Sequence, residues 1–170
     1  MNLWLRCLWV FAAGFFKKRL GLLEESCLSF RVLPNDLDLY LHMNNGRYLT
    51  LMDLGRIDLI LRSALGRAAQ KQGWNPLVGS ILMRYRRPLQ MWDLFTLKTR
   101  ILGWDEKWFY IEQRFEKDGE LAALGFVKGL FKGPSGVVPI QDLLNAAGEA
   151  IASPEIPPKV QKWAETERMP

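Results

Sequence analysis

Eighteen consecutive residues, 48–65, contain no proline and a single glycine, Gly55, and their apolar members fall on more than one helical face: Tyr48, Leu49, Leu51, Met52, Leu54, Ile57, Leu59, Ile60 and Leu61. The spacing predicts a long helix, and a helix this apolar must be covered on its flanks as well as underneath. The residues that follow supply the cover, because from Val78 the period changes from helical to two. Four segments alternate: Ile81, Met83 and Tyr85; Phe95, Leu97, Thr99 and Ile101; Phe109, Ile111, Gln113 and Phe115; and the stretch 121–131. Asp118-Gly119 before the last of these is a strong hairpin signal, since both residues tolerate positive φ. Ala123, Gly125, Val127 and Gly129 then give that strand one smooth face, which a helix can approach closely. One long helix wrapped by an antiparallel meander is an α+β arrangement.

The flanks complete the outline. A short apolar strand is expected at 29–33, a loop at 70–76 around Gly73, Asn75 and Pro76, a turn at 133–136 and a short helix at 140–147. From Ser153 the chain carries Pro154, Pro157 and Pro158 and reads as extended or partly ordered. These readings divide the chain into an N-terminal hydrophobic and basic segment, 1–24, the wrapped-helix domain, 25–150, and a proline-containing tail, 151–170. A chain of 170 residues, 49% hydrophobic and 24% charged, is long enough for one such domain with a sizeable core.

The formal charge of +5 leaves room for an anionic ligand, with a phosphate-bearing small molecule and an anionic membrane surface fitting equally well. Without a long Lys/Arg tract it argues against nucleic acid. Two cysteines, Cys7 and Cys27, and one histidine argue against a disulfide framework and against a metal centre. Residues 3–16 are apolar except for Arg6 and Gly14, and Lys17-Lys18-Arg19 follows at once. That run is shorter than the roughly 20 residues a spanning helix needs. Its basic cluster also lies on the wrong side for a signal peptide. Two readings stay open: a helix in a membrane interface, with Trp4, Trp9, Phe11, Phe15 and Phe16 among the acyl chains, or a helix docked on the body or on a partner subunit.

Between the first strand and the long helix, residues 36–48 gather Asp36, Asp38, the sole histidine His42, Asn44 and Asn45. Asn44 or Asn45 is suited to cap the helix, and the positive end of the helix dipole then lies beside Asp38 and His42, where negative charge is favoured.

This run resembles the D-x-D-x-x-x-H-x-N-N-x-x-Y signature of the hotdog-fold thioesterases related to 4-hydroxybenzoyl-CoA thioesterase. The similarity covers about 28–132 and includes Arg86-Arg87-Pro88-Leu89. It is closer to thioesterase superfamily proteins that carry an N-terminal hydrophobic segment, through Arg31-Val32-Leu33-Pro34 and Leu102-Gly103-Trp104-Asp105. Plant acyl-carrier-protein thioesterases share the D-L-D turn and the H-x-N-N run. Two positions depart from these patterns: Leu41 stands where many members have glycine, and Tyr40 where the acyl-carrier enzymes have asparagine.

The resemblance implies a hotdog fold, a homodimer or dimer of dimers, and hydrolysis of an acyl-CoA or acyl-carrier thioester to acid and thiol, without metal or redox cofactor, as part of lipid metabolism. Such hydrolysis requires a carboxylate to activate water or to attack the carbonyl itself, and donors for the oxyanion. Asp38 matches the family's catalytic aspartate. His42 is expected to orient or protonate the leaving thiolate, Asn44 to join them, and the amides near Asn44 to Gly46 to receive the oxyanion. Asp36 is expected to anchor the turn. Asn45, Gly46, Tyr48, Arg86 and Arg87 are the expected substrate contacts, the arginines for the phosphates of coenzyme A. The expected location is cytoplasmic, peripheral on a membrane through residues 1–19. The competing reading is a non-catalytic acyl-thioester-binding or membrane scaffold on the same fold. A dehydratase is disfavoured because the D-x-D turn is not its pattern.

Overall fold

The computed structural model describes residues 2–167, so Met1 and the last three residues of the expected tail, 168–170, lie outside the described residues. The long apolar helix, α2 (Asn45–Arg62), lies across an antiparallel sheet of β1 (Ser26–Arg31), β2 (Asn75–Tyr85), β3 (Leu94–Trp104), β4 (Phe109–Lys117) and β5 (Glu120–Gly133). Their spatial order is β1-β3-β4-β5-β2, with β6 (Gly136–Val138) pairing the end of β5. This curled sheet around one helix is the hotdog arrangement that the resemblance implies.

Gly55 marks the closest approach of helix to sheet. A Cβ there would lie 2.5 Å from Thr99 Oγ1 and 2.7 Å from Gln113 Nε2. The Gln113 amide is fully buried; it donates to Met52 O and Thr99 Oγ1, both at 2.9 Å, and accepts from Arg56 at 2.7 Å. The smooth face of β5 does what its sequence suggests: Met52 lies over Gly125, where a Cβ would stand 2.5 Å from Cε.

The expected unbroken helix instead breaks at Ser63, whose extended backbone ends α2 and whose Oγ accepts from Gly66 N at 3.1 Å to cap α3 (Ala64–Gln72). Gly66 makes the break tight, since a Cβ there would sit 1.9 Å from Ile60 O. The first strand lies earlier than expected, at Ser26–Arg31 in place of 29–33. β2 likewise takes up Asn75 and Pro76 from the expected loop, because β5 is long enough to pair with them. The hairpin at Asp118-Gly119 has φ of 52° and 79°, as its residues predict. α4 (Ile140–Ala147) forms where expected.

The tail carries a helix of its own. α5 (Pro158–Thr166) starts at Pro158, the first helical residue, where the missing N–H costs nothing, and it buries Val160 and Ala164 on the outer sheet face against Leu102, Tyr110 and Phe126. The strands beneath it are therefore apolar on both faces.

At the other end of the chain α1 (Asn2–Phe16) packs along α2, burying Val10. Its single charge is turned inward, and Trp4, Leu5, Leu8, Trp9, Phe15 and Phe16 are left exposed. Among the described residues no helix is long and apolar enough to cross a membrane.

Candidate active site

Residues 37–43 form a small hairpin-like loop at the start of α2. Leu37 and Met43 bridge across it, and Asp38 N donates to His42 O at 2.9 Å. The Asp38 carboxylate folds back on its own turn, with Oδ1 accepting from Tyr40 N at 2.8 Å and from His42 N at 3.4 Å. Its second oxygen and the His42 ring have no hydrogen-bond partner among the described residues. Leu39, Tyr40 and Leu41 form the exposed tip, and Leu41 has φ of 60°. That left-handed value explains why glycine suits the position in the family pattern.

Asn44 caps the helix, its Oδ1 accepting from Gly46 N at 2.8 Å, while its own N–H donates to Asp36 O at 2.8 Å. Two of the amides expected to receive an oxyanion, those of Asn44 and Gly46, are therefore engaged by the turn itself. The Asn45 amide remains as the donor at the helix start. The Asn45 carbonyl accepts from Tyr85 OH at 3.2 Å.

Tyr48, expected to touch substrate, is instead a core residue, 2% exposed and set edge-on against Tyr85 and Phe115 with ring centroids 5.1 and 4.9 Å away. Burial pushes its hydroxyl up to about 12. It supports the turn from beneath.

The segment 85–90 flanks the turn. Met43 N donates to Leu89 O at 2.7 Å and His42 bridges Gln90. Arg86 and Arg87 lie on this segment, both with their N–H groups on Ala122 O. Arg87 is exposed, pairs with Glu120 at 3.3 Å, and lines a cleft of about 250 Å³ with Pro88, Leu89 and Lys117.

Asp36 anchors the turn as expected, Oδ2 accepting from Leu33 N at 2.9 Å, and it is 1% exposed. Its cationic partners were not legible in the sequence: Arg6 on α1, 2.7 Å away, and Arg47 on the first turn of α2, 3.3 Å away. Likewise Asp58, fully buried, holds Lys17, the residue after α1, at 3.3 Å, Arg62 at 2.8 Å and Ser26 Oγ at 2.7 Å. Arg56 is a further buried charge found only in the structure. It pairs with Asp53, and burial lowers its pKa against the pull of that carboxylate. A hydrogen-bonding carboxylate four residues from an arginine is one local signal of such pairing, as in Asp58 and Arg62.

Arg56 and Asp53 also reach an apolar cavity of about 270 Å³ between α2 and the sheet, lined chiefly by Ile57, Leu59, Leu77, Val78, Phe109, Ile111, Val127 and Leu130. This cavity lies at the start of β2, whereas the turn meets the end of β2 at Tyr85. The two are roughly 25 Å apart along the strand at about 3.3 Å per residue. Among the described residues no group of three His, Cys, Asp or Glu side chains is arranged to hold a metal ion.

A curled antiparallel sheet around one helix, with a carboxylate turn at that helix's N-terminus, defines the class as hotdog-fold proteins of the thioesterase kind. The chain belongs to the Thioesterase-like superfamily, which it matches over residues 32–164. It is 38% identical over 144 residues to Protein THEM6 of Xenopus laevis, covering 84% of this chain and 68% of that protein. Its fold is similar to that of YbaW, a probable thioesterase from Escherichia coli, with a TM-score of 0.67 and 22% identity over 71% of this chain and 94% of that one. It is also similar to SAV2348 from Staphylococcus aureus, solved in complex with CoA, with a TM-score of 0.66 and 13% identity over 82% and 93% of the two chains.

Proposed function

We propose that the chain hydrolyses acyl thioesters of coenzyme A, with Asp38 as the carboxylate that activates water. The observation that carries this reading is the state of Asp38 at the head of α2: one oxygen is fixed by the Tyr40 and His42 amides, and the other has no partner among the described residues. In the proposed step water adds to the thioester carbon and gives its proton to Asp38. The oxyanion develops at the Asn45 amide, where the helix dipole favours it. As the C–S bond breaks, the thiolate takes a proton from Asp38 or His42. Arg86, Arg87 and Lys117 beside the turn are suited to the phosphates of coenzyme A. Membership of the thioesterase family supports the reaction class, and the CoA complex of a protein with a similar fold supports the carrier.

The apolar cavity is suited to the acyl group. At about 270 Å³ it is near the lower end of ligand pockets, which run from about 300 Å³ upward, and this favours a medium-length or aryl-acyl chain. Its distance from the chain's own turn favours a homodimer. β2 is an exposed eleven-residue edge strand, and a twin pairing antiparallel on it carries the partner's turn toward this cavity. α5 already covers the outer sheet face, and of the two edge strands β2 is the longer, eleven residues against six in β1, which favours it as the surface for a second copy.

Steady-state thiol release from a panel of acyl-CoAs tests the reading. Asp38→Asn keeps the shape of the turn and removes its charge, so turnover should fall at least ~100-fold while the fold survives. Tight acyl-CoA binding without thiol release in the wild type would favour the scaffold reading instead.

A second proposal, peripheral attachment to an anionic membrane, is favoured by the outer face of α1, where Trp4 is 76%, Phe15 80% and Phe16 91% exposed beside exposed Lys18 and Arg19. Each basic residue near such a surface adds about 1 kcal/mol. The full chain should therefore co-sediment with anionic vesicles, more weakly as salt rises, and Trp4→Glu with Phe15→Glu should release it. Equal partitioning of both chains would overturn the attachment.

A further inference from the structure

The helix α1 carries one charge, and that charge is turned toward the site. Arg6 NH1 donates to Asp36 Oδ1 at 3.2 Å, and NH2 donates to Asp36 Oδ2 at 2.7 Å and to Arg31 O at 2.8 Å. A planar guanidinium is the side chain that can hold both oxygens of a carboxylate and a carbonyl at once. Asp36 in turn closes the loop that contains the candidate catalytic residues. Its carboxylate holds Leu33 N before the loop, and its backbone oxygen holds Asn44 N, the helix cap, after it. Arg47 completes the clamp from α2, ion-paired to Asp36 at 3.3 Å and donating to Asn35 O at 3.1 Å. Asp38 and His42 therefore lie inside a loop whose two ends meet at one buried residue, Asp36, through its carboxylate and its backbone oxygen, and α1 supplies the shorter of the carboxylate's two ion pairs.

We infer that Arg6 is a positioning residue for thioester hydrolysis, acting through Asp36 on the geometry of Asp38 and His42, so that α1 is part of the site's framework as well as a surface helix. The inference rests on the hydrolytic reading of Asp38. A contrast with Lys17, the residue that follows α1, makes it specific. Lys17 holds the same helix to the body through Asp58, which contacts Arg62 and Ser26 and no residue of the 33–44 loop. Loss of Lys17 loosens α1; loss of Arg6 loosens α1 and the turn.

The test compares full-length wild type, Arg6→Ala, Arg6→Lys and Lys17→Ala on a short, soluble acyl-CoA, with melting temperatures in parallel. Arg6→Ala should lower kcat about 10- to 100-fold with KM changed by less than about threefold, because displacement of a reacting group by about 1 Å from a distance costs on that order. Methylguanidinium should restore part of the loss. Arg6→Lys, with one point donor in place of a fork, should fall between, and it remains informative where the alanine variant fails to fold. Lys17→Ala should lower the melting temperature and leave kcat within about twofold.

His42 is the only histidine, so its ring proton resonance reads the turn without any turnover. It should shift and broaden in the Arg6 variants and stay unchanged in Lys17→Ala. An Arg6 variant that is folded with wild-type kcat and an unmoved His42 signal overturns the inference. So do equal losses of kcat in Arg6→Ala and Lys17→Ala. A wild type without thiol release, whose His42 signal nevertheless responds to Arg6, overturns the hydrolytic reading while leaving the coupling of α1 to the turn in place.

Discussion

Replacing Gly55 by alanine tests how α2 is seated on the sheet, and thus how both the turn at its head and the cavity along its side are held. On helix propensity alone the change is favourable, by about 1 kcal/mol. The surroundings oppose it. The added Cβ would meet Thr99 Oγ1 at 2.5 Å, Gln113 Nε2 at 2.7 Å and Leu97 Cδ2 at 3.0 Å. These neighbours cannot swing aside, because all three side chains are fully buried and Gln113 is tied to Thr99. Overpacking of this kind costs about 1–3 kcal/mol. Disturbing the Gln113 hydrogen bonds costs about 1 kcal/mol more for each bond weakened. The net expectation is a loss of about 1–3 kcal/mol, or a melting temperature lower by about 3–10 °C for a chain of this size. Gly14→Ala is the matched control, since its Cβ would meet only Leu61, at an ordinary 3.5 Å. It should raise stability by about 0.5–1 kcal/mol. Thermal and urea unfolding of the two variants beside the wild type decide the matter. A Gly55→Ala protein as stable as the Gly14→Ala protein would refute the close seating of α2.

Two further perturbations follow from local geometry and charge. Leu41→Gly removes a left-handed leucine that costs about 1–2 kcal/mol, against about 0.4–1 kcal/mol gained by the more flexible unfolded chain. Unfolding should find the variant as stable as the wild type or up to about 1 kcal/mol more so, and a clear loss would contradict the strain. Burial of Glu116 pushes its pKa up, but hydrogen bonds from Lys98 and Arg114 outweigh that, and the net shift is down. A carboxyl lowered on folding contributes stability above the ordinary carboxylate range and loses it as pH falls through its lowered folded value. Glu116→Gln should therefore flatten the acid limb of the stability curve and leave the protein weaker near neutrality, and an unchanged acid limb would count against the paired state.

What the sequence determined by itself was whatever depends on neighbours along the chain. The change of period at Val78 defined a helix followed by an antiparallel meander, because side-chain direction repeats at 3.6 in one and at two in the other. Asp118-Gly119 defined its hairpin through tolerance of positive φ, and the spacing of Asp38, His42 and Asn44 marked the polar turn at the helix start. Family resemblance added the hotdog closure. Ser63 was locally readable as a cap yet lay hidden in an apolar run, and α5 was masked by prolines that begin a helix as readily as they prevent one.

The tertiary structure decided what depends on residues far apart in sequence. Tyr48 became core because Tyr85 and Phe115 close over it. Asn44 and Gly46 spend their amides inside the turn, the first on the Asp36 carbonyl and the second on the Asn44 side chain. Asp36 and Asp58 are tolerated in the interior because Arg6 on α1 and Lys17 just after it arrive from thirty and forty-one residues earlier. A buried carboxylate requires a cation, but nothing in the chain near Asp36 states which cation comes, since burial and partnership are set only when separate elements meet.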